Sequence, residues 1–412
     1  MSQGISGALR GASGSEAAAL RRPPVRLPPT SDILAGLAVF GLVVVPLLVL
    51  KFHGGKFPLD LAVYREAGRV VLHGGDPYAP DFGRHLRIPL PFTYPPFAAV
   101  GSVVLGVLPE PVAIVAWTTL SLSLLVVMVW LVLGQSLRHP VLLGLAAGAL
   151  AWTVPLNETI SFGQVNLLLA MACLLDCTWS GRRRGVLVGV ATAVKLTPGL
   201  FIVYFALTRQ WAAAARAAAT ASICELLAAA ILPGPSRRYW FHLAFSPSRT
   251  GDPGYYTNQS LFGMLARLHL AQWLWVLWVP LALGVAALGM WRAARAHREG
   301  QEIAAVALVG LTGLLVSPIS WQHHAVWIVL VAGVLAAWAT TPRQAVAALA
   351  VLSFFLLPLP WLGSRLVAEG AAPLLGGLLE NSSVLAFLVL LVTLPVAMVR
   401  RQRWPYPDGS CP

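Results

Sequence analysis

Apolar runs long enough for a bilayer recur along this chain from Asp32 to Val399, separated by short polar clusters in which arginine is prominent. A hydrocarbon core needs about 20 apolar residues in a helix. The runs 32–50, 112–134, 140–155, 165–179, 186–208, 217–232, 272–291, 303–320, 324–340, 344–360 and 384–399 approach or meet that length. One further apolar piece, Pro96–Leu108, would span only about 20 Å as a helix and is too short to cross alone.

Charge placement turns these runs into a topology. The Arg182-Arg183-Arg184 cluster belongs on the cytoplasmic side, where short loops collect Lys and Arg. With the N-terminus also inside, Pro96–Leu108 must dip into the bilayer and return. Arg209 and Arg216 belong inside too, so 186–208 is expected to be a helical hairpin broken at Thr197-Pro198, where proline ends one helix and permits the next. About 12 crossings result, with 17 basic residues inside, 11 outside and Lys195 between. Residues 1–31 form a cytoplasmic tail, expected to be disordered as far as Pro29. Residues 32–399 form the membrane domain, beginning with an uncleaved helix, and 400–412 form a second cytoplasmic tail. Four polar segments fall outside: 51–111, 156–164, 233–271 and 361–383. The first and third are long, aromatic and rich in Pro and Gly, as functional loops tend to be.

Composition narrows the class. With 57% hydrophobic and 11% charged residues and a mean hydropathy of +0.73, the chain is excluded from soluble domains, which carry about 25% charged residues. The net charge of +13 lies in clusters between spans, which orients membrane helices and argues against a nucleic-acid partner. Cys173, Cys177 and Cys224 sit within apolar spans and Cys411 in the tail, so no disulfide framework is implied.

Several polar residues stand where chemistry can be done. Asp60 opens an amphipathic helix expected over Leu61–Leu72, and is either its N-cap or a carboxylate base at the membrane surface. Tyr78, in a Gly74-Gly-Asp-Pro-Tyr turn, and Tyr94, before Pro95-Pro96, either line a sugar site or serve the turns. Lys195 sits at the broken tip of the hairpin, where a lysine is costly; it either snorkels to headgroups or meets an anion such as a lipid phosphate. His323 and His324 are adjacent and so point to different sides of a helix, a poor arrangement for two metal ligands; one of them facing an anion fits better. Gln164, Asn166, Asn258 and Gln259 suit hydroxyls but also cap helices. Asp176 and Glu225 lie within spans and receive no role.

In order, Asp60-Leu-Ala-Val-Tyr64, Gly74-Gly-Asp-Pro-Tyr78, Tyr94-Pro-Pro96, Gly163-Gln-Val-Asn166, Lys195-Leu-Thr-Pro198, Asn258-Gln-Ser260 and Ser317-Pro-Ile-Ser-Trp-Gln-His-His324 resemble glycosyltransferase family 87, the actinobacterial membrane mannosyltransferases that use polyprenyl-phosphate mannose. The resemblance runs from about residue 57 to 330. It implies an all-α, C-type glycosyltransferase bundle of about 12 transmembrane helices with a long first extracytoplasmic loop. It further implies a polyprenyl-phosphate sugar donor, a glycolipid or cell-wall glycan acceptor, and an active site on the outer side of the cell membrane. Asp60 matches the family's catalytic base. Lys195, His323 and His324 match polar positions near the donor phosphate, and Tyr64, Tyr78, Tyr94, Gln164, Asn166, Asn258 and Gln259 join them as substrate-binding candidates. No cofactor is expected. Asp60 is followed by Leu61, and the next acid is Glu66, which weakens the case for a bridging divalent metal while leaving metal use open. Two rivals remain. A transporter or flippase accounts for the spans and Lys195 but not for the polar loop opening on Asp60 or for the absence of a repeat. An enzyme of another class, such as a lipid-phosphate phosphatase, would need more arginines and a nucleophile near the site.

Overall fold

The computed structural model describes residues 28–53, 57–179, 181–268 and 271–396. Most of the N-terminal stretch expected to be disordered, and the tail arginines Arg400, Arg401 and Arg403, lie outside the described residues. Among those residues all regular structure is helical, joined by irregular segments such as 73–95, and the only strand-like pairing is an isolated bridge between Asn258 and Trp321.

Among the described residues four helices are long and apolar enough to cross a membrane: Thr30–Phe52, Glu110–Leu137, Trp211–Ile231 and Leu274–Arg298. Three bent pairs raise the count to as many as seven if each pair is one span. Long and short helices divide the labour. The long ones present Leu and Val outward, as at Leu42, Val115, Leu226 and Leu283, the surface expected of helices that face lipid. Glu302–Val316 and Ile328–Trp338 are apolar all round and buried along most of their length. A helix apolar on every face belongs in the interior, and there it need not match the membrane thickness.

Several expected spans take a different shape. The run 140–155 is helical only to Trp152, then turns by 78° into Val154–Phe162, because Pro155 in the first turn of the second helix suits a fresh start rather than continuation. The run 344–360 breaks in the same way, with Pro342–Phe354 bent by 52° from Leu359–Ala368. The segment 361–383, expected to be a polar loop, instead carries much of Leu359–Ala368 and all of Pro373–Glu380, packed against each other. Pro96–Leu108 is two short helices, Pro96–Gly101 and Val103–Val107, broken at Ser102. They lie against Leu59–Leu72 at a near backbone contact: a Cβ on Gly68 would stand 2.1 Å from the Ser102 carbonyl oxygen.

The break near Lys195 takes the expected form. Val186–Val194 ends at Lys195, which is extended (φ −152°), and Leu200–Leu207 follows a short 3-10 turn at Thr197–Gly199. Arg184, before the first arm, lies over the Phe205 ring near the end of the second at 5.6 Å. The arms therefore fold back on each other, with Lys195 at the tip and the arginine cluster at the base.

Candidate active site

Around that tip lies a cavity of about 450 Å³, lined among others by Asp60, Tyr94, Gln164, Lys195, His323 and His324. Six of the eleven residues singled out in the sequence thus share one chamber. They arrive on separate elements, and each has a local reason for its position.

Asp60 does not cap its helix. The helix begins at Leu59 with Pro58 in the capping position and no side-chain cap, so the carboxylate sits inside the first turn. There the helix dipole favours its charge and its oxygens stay available. It is half-buried. Burial holds its carboxyl above the usual carboxylate range, against the opposing pull of His323, a hydrogen bond from Gln164, and Lys195.

Gln164 reaches Asp60 because of Gly163. The helix Val154–Phe162 closes at Gly163 in the left-handed region (φ 69°), and a Cβ there would meet the Leu61 Cβ at 2.7 Å. Only glycine permits both the turn and the approach. The Gln164 carbonyl oxygen is 3.1 Å from the hydroxyls of both Tyr64 and Tyr94, which are 2.8 Å from each other. Its amide nitrogen lies 3.3 Å from His323 Nε2. An amide nitrogen only donates, so His323 Nε2 accepts and its ring proton sits on Nδ1. That atom is 3.8 Å from the Glu158 carboxylate.

Lys195 is held from two sides. Its ammonium donates to Asn166 Oδ1 at 2.9 Å and to His324 Nε2 at 3.1 Å, and it stands over the Tyr94 ring at 5.4 Å. An ammonium has three donors, so one N–H remains for the cavity. Asn166 is itself tied down, since its amide donates to the His323 carbonyl at 2.8 Å. The two histidines serve different neighbours, Gln164 and Lys195. Among the described residues no three His, Cys, Asp or Glu side chains are arranged so that they could hold a metal ion; Glu66, the acid nearest in sequence, pairs instead with His85 at 3.0 Å.

The other five candidates do not line this chamber. Tyr64 is buried behind it, within the Gln164 network, and Asn166 braces Lys195 and His323. Tyr78 lines a neighbouring cavity and donates to the Tyr94 carbonyl at 2.8 Å. Asn258 and Gln259 are almost wholly buried and fully engaged. Asn258 donates to the carbonyls of Pro253 and Pro318 and accepts from Ser320 N; Gln259 donates to the Tyr256 and Glu380 carbonyls and accepts from Val384 N. With Gln259 N on Ser320 O at 2.8 Å and Gln322 N on Thr257 O at 3.0 Å, these residues zip the Asn-Gln-Ser motif to the strip carrying the histidines.

Sequence reading missed Glu158, Thr159 and Arg249. Thr159 donates to the His323 carbonyl at 2.7 Å. Arg249 donates to the carbonyls of Phe92 and Thr93 while lying over the Tyr78 and Tyr239 rings, which fixes the strip leading to Tyr94. Glu158 and Thr159 lie one helical turn before Gly163, where a search restricted to motifs does not look.

Fold and site together define a multi-pass membrane protein with an enzyme-like polar chamber. A family model described as glycosyltransferase family 87 matches residues 92–318, just over half of the chain, and the chain belongs to that family. It is a membrane glycosyltransferase. The match begins after Asp60 and Tyr64, and within it fall Tyr94, Gln164, Lys195 and Asn258. The chain is 34% identical over 322 residues to a polyprenol-phosphate-mannose-dependent alpha-(1-2)-phosphatidylinositol mannoside mannosyltransferase of Mycolicibacterium smegmatis, covering 70% of this chain and 72% of that one. A Mycobacterium tuberculosis protein of the same description is 35% identical, over 73% of this chain and 75% of its own. The M. smegmatis enzyme described as acting on phosphatidylinositol pentamannoside is 35% identical, over 73% and 76%. No solved structure matches the chain.

Proposed function

We propose that this protein transfers a mannosyl or related glycosyl residue from a polyprenyl-phosphate donor to a glycolipid or cell-wall glycan acceptor at the outer face of the cell membrane, with inversion. The observation that carries the reading is the chamber itself: an uncapped, half-buried carboxylate and a braced ammonium with a spare donor line one cavity. The relatives' dependence on polyprenol-phosphate mannose supports the donor.

In this reading the acceptor hydroxyl oxygen attacks the anomeric carbon and its proton passes to the Asp60 carboxylate. The bond from the anomeric carbon to the phosphate oxygen breaks, and the electron pair leaves with the polyprenyl phosphate. Lys195 donates its third N–H to the charge growing on that oxygen, an interaction stronger in the transition state than before it. Asp60 then returns its proton to water. Gln164 orients Asp60 and holds His323 in one tautomer; His324 and Asn166 aim Lys195. The mechanism calls for no cofactor, and a transfer assay in EDTA decides whether a divalent ion assists.

The topology is part of the proposal: about 12 crossings in a C-type arrangement, Pro96–Leu108 dipping in from the outside, and the Arg182–Arg184 base of the hairpin in the cytoplasm. A donor anchored in lipid then reaches Lys195 sideways. The test is transfer by purified protein in nanodiscs from radiolabelled polyprenyl-phosphate mannose to a mannosylated phosphatidylinositol. The labelled product should carry the anomeric configuration opposite to the donor's by NMR; retention, or no transfer, defeats the reading. Cysteines placed near Asp60 should react with impermeant thiol reagents from outside and those near Arg183 should not.

A further inference from the structure

Next to the chamber lies a second cavity of about 330 Å³, walled chiefly by Tyr78, Phe82, Arg84, Pro91, Phe92 and Arg249, with three more prolines around it. Leu90 and Pro91 line both cavities, so one opens beside the other. Its walls come from the segments 77–92 and 243–249, connecting segments rather than the long apolar helices.

The wall is rigid. Tyr78 is tied to the Tyr94 carbonyl, and Arg249 ties Phe92 and Thr93 to the Tyr78 and Tyr239 rings. Phe92 packs against Tyr78, Phe82 and Tyr94, with ring centres 5.8–6.3 Å apart. Arg84 differs from Arg249: its side chain makes no hydrogen bond or ion pair among the described residues, so its donors are free. Prolines and aromatic rings with few polar groups offer flat faces to the C–H side of a pyranose ring, and a free guanidinium serves its hydroxyls. A polyprenyl chain would need an aliphatic channel open to lipid. The volume lies at the lower end of ligand pockets, which run from about 300 to 1,000 Å³, and suits a single sugar ring.

We infer that this cavity is the acceptor subsite, holding the sugar unit next to the one whose hydroxyl is attacked. The inference rests on reading the larger chamber as the sugar-transfer site. It gives the acceptor a place on the loop side of Asp60, separate from Lys195, and makes Phe82 and Arg84 acceptor-selecting residues.

The test uses the full-length protein in nanodiscs with octyl α-mannoside as probe, followed by saturation-transfer NMR and titration. Wild type should show transfer to the sugar protons. Phe82→Ala removes one stacking face, worth roughly tenfold in affinity at most, and Ala79→Trp fills the cavity and should abolish the signal. Both variants should bind the polyprenyl-phosphate donor with wild-type affinity in a titration without turnover, which shows that the chamber is intact. No binding to wild type, or wild-type binding by folded Ala79→Trp, overturns the subsite. Because binding is read without turnover, loss of the subsite and failure of the transferase reading appear separately: the first leaves glycosyl transfer unaltered in Ala79→Trp, and the second leaves mannoside binding without transfer.

Discussion

Asp60 and Asp176 are both acids in an apolar chain, the first in the opening turn of Leu59–Leu72 and the second in the last turn of Asn166–Thr178, and the structure uses them in opposite ways. Asp176, on Asn166–Thr178, spends its carboxylate on backbone: Oδ1 accepts from Gly185 N at 2.9 Å and Oδ2 from Val188 N at 2.8 Å. It caps the first arm of the hairpin from a neighbouring helix. Asp60 sits in the first turn of its own helix, caps nothing and faces a cavity. A buried acid whose oxygens are all paired within the protein holds the fold, whereas one left open beside a cavity is available to a ligand. The two ends of the hairpin repeat the contrast. At its base, Arg184 is bonded to the Cys177 carbonyl and stacked on Phe205; at its tip, Lys195 keeps one donor free.

The comparison breaks most readily at Asp60. Asp60→Asn should lower turnover by roughly 10²–10⁴-fold, the usual worth of a general base, while thermal unfolding stays at the wild-type temperature. Wild-type turnover in that variant would leave both aspartates structural. Lys195→Ala should reduce turnover by roughly 10²-fold, as loss of a donor to a developing oxyanion does. Unchanged rate and donor Michaelis constant in a folded variant would make Lys195 an anchor only.

Asp176→Asn sharpens the contrast from the other side. An asparagine can still accept one of the two backbone bonds, so the loss should be about 2 kcal/mol, seen as a lower melting temperature with normal activity per folded molecule. A drop in activity without a drop in stability would erase the distinction between the two acids. The smallest effect concerns pH. Asp60 acts as a base only when ionised, and burial already places its carboxyl above the ordinary range while the Gln164 hydrogen bond pulls it down. Removing that bond in Gln164→Ala should move the acid limb of the kcat/KM profile to higher pH; an unmoved limb would show that Gln164 does not touch the ionisation of Asp60.

Much of the fold was legible because burial in lipid is written one residue at a time. Thr30–Phe52, Glu110–Leu137 and Leu274–Arg298 fall where apolar runs of bilayer length fall, and the hairpin at Thr197-Pro198 follows from proline and the placement of arginines. The bends at Thr153 and before Leu359, and the helices in 361–383, were not legible, since they depend on what the flanking segments pack against. The site was legible as residue types and not as roles. Asn258 and Gln259 have the chemistry to bind a hydroxyl, yet their partners are backbone atoms some sixty and more than a hundred residues away.

What the sequence by itself determined is the solvent and the inventory: a chain for lipid, with a few polar residues placed where they are costly. Hydropathy and charge are properties of each residue, and they survive without coordinates. Only the tertiary structure decided which acid is a cap and which is open, which amides are braces, and that Lys195 and Asp60, 135 positions apart, line one chamber. Those outcomes depend on which donor meets which acceptor across the bundle, and a hydrogen bond is defined by a partner that neighbouring residues do not reveal.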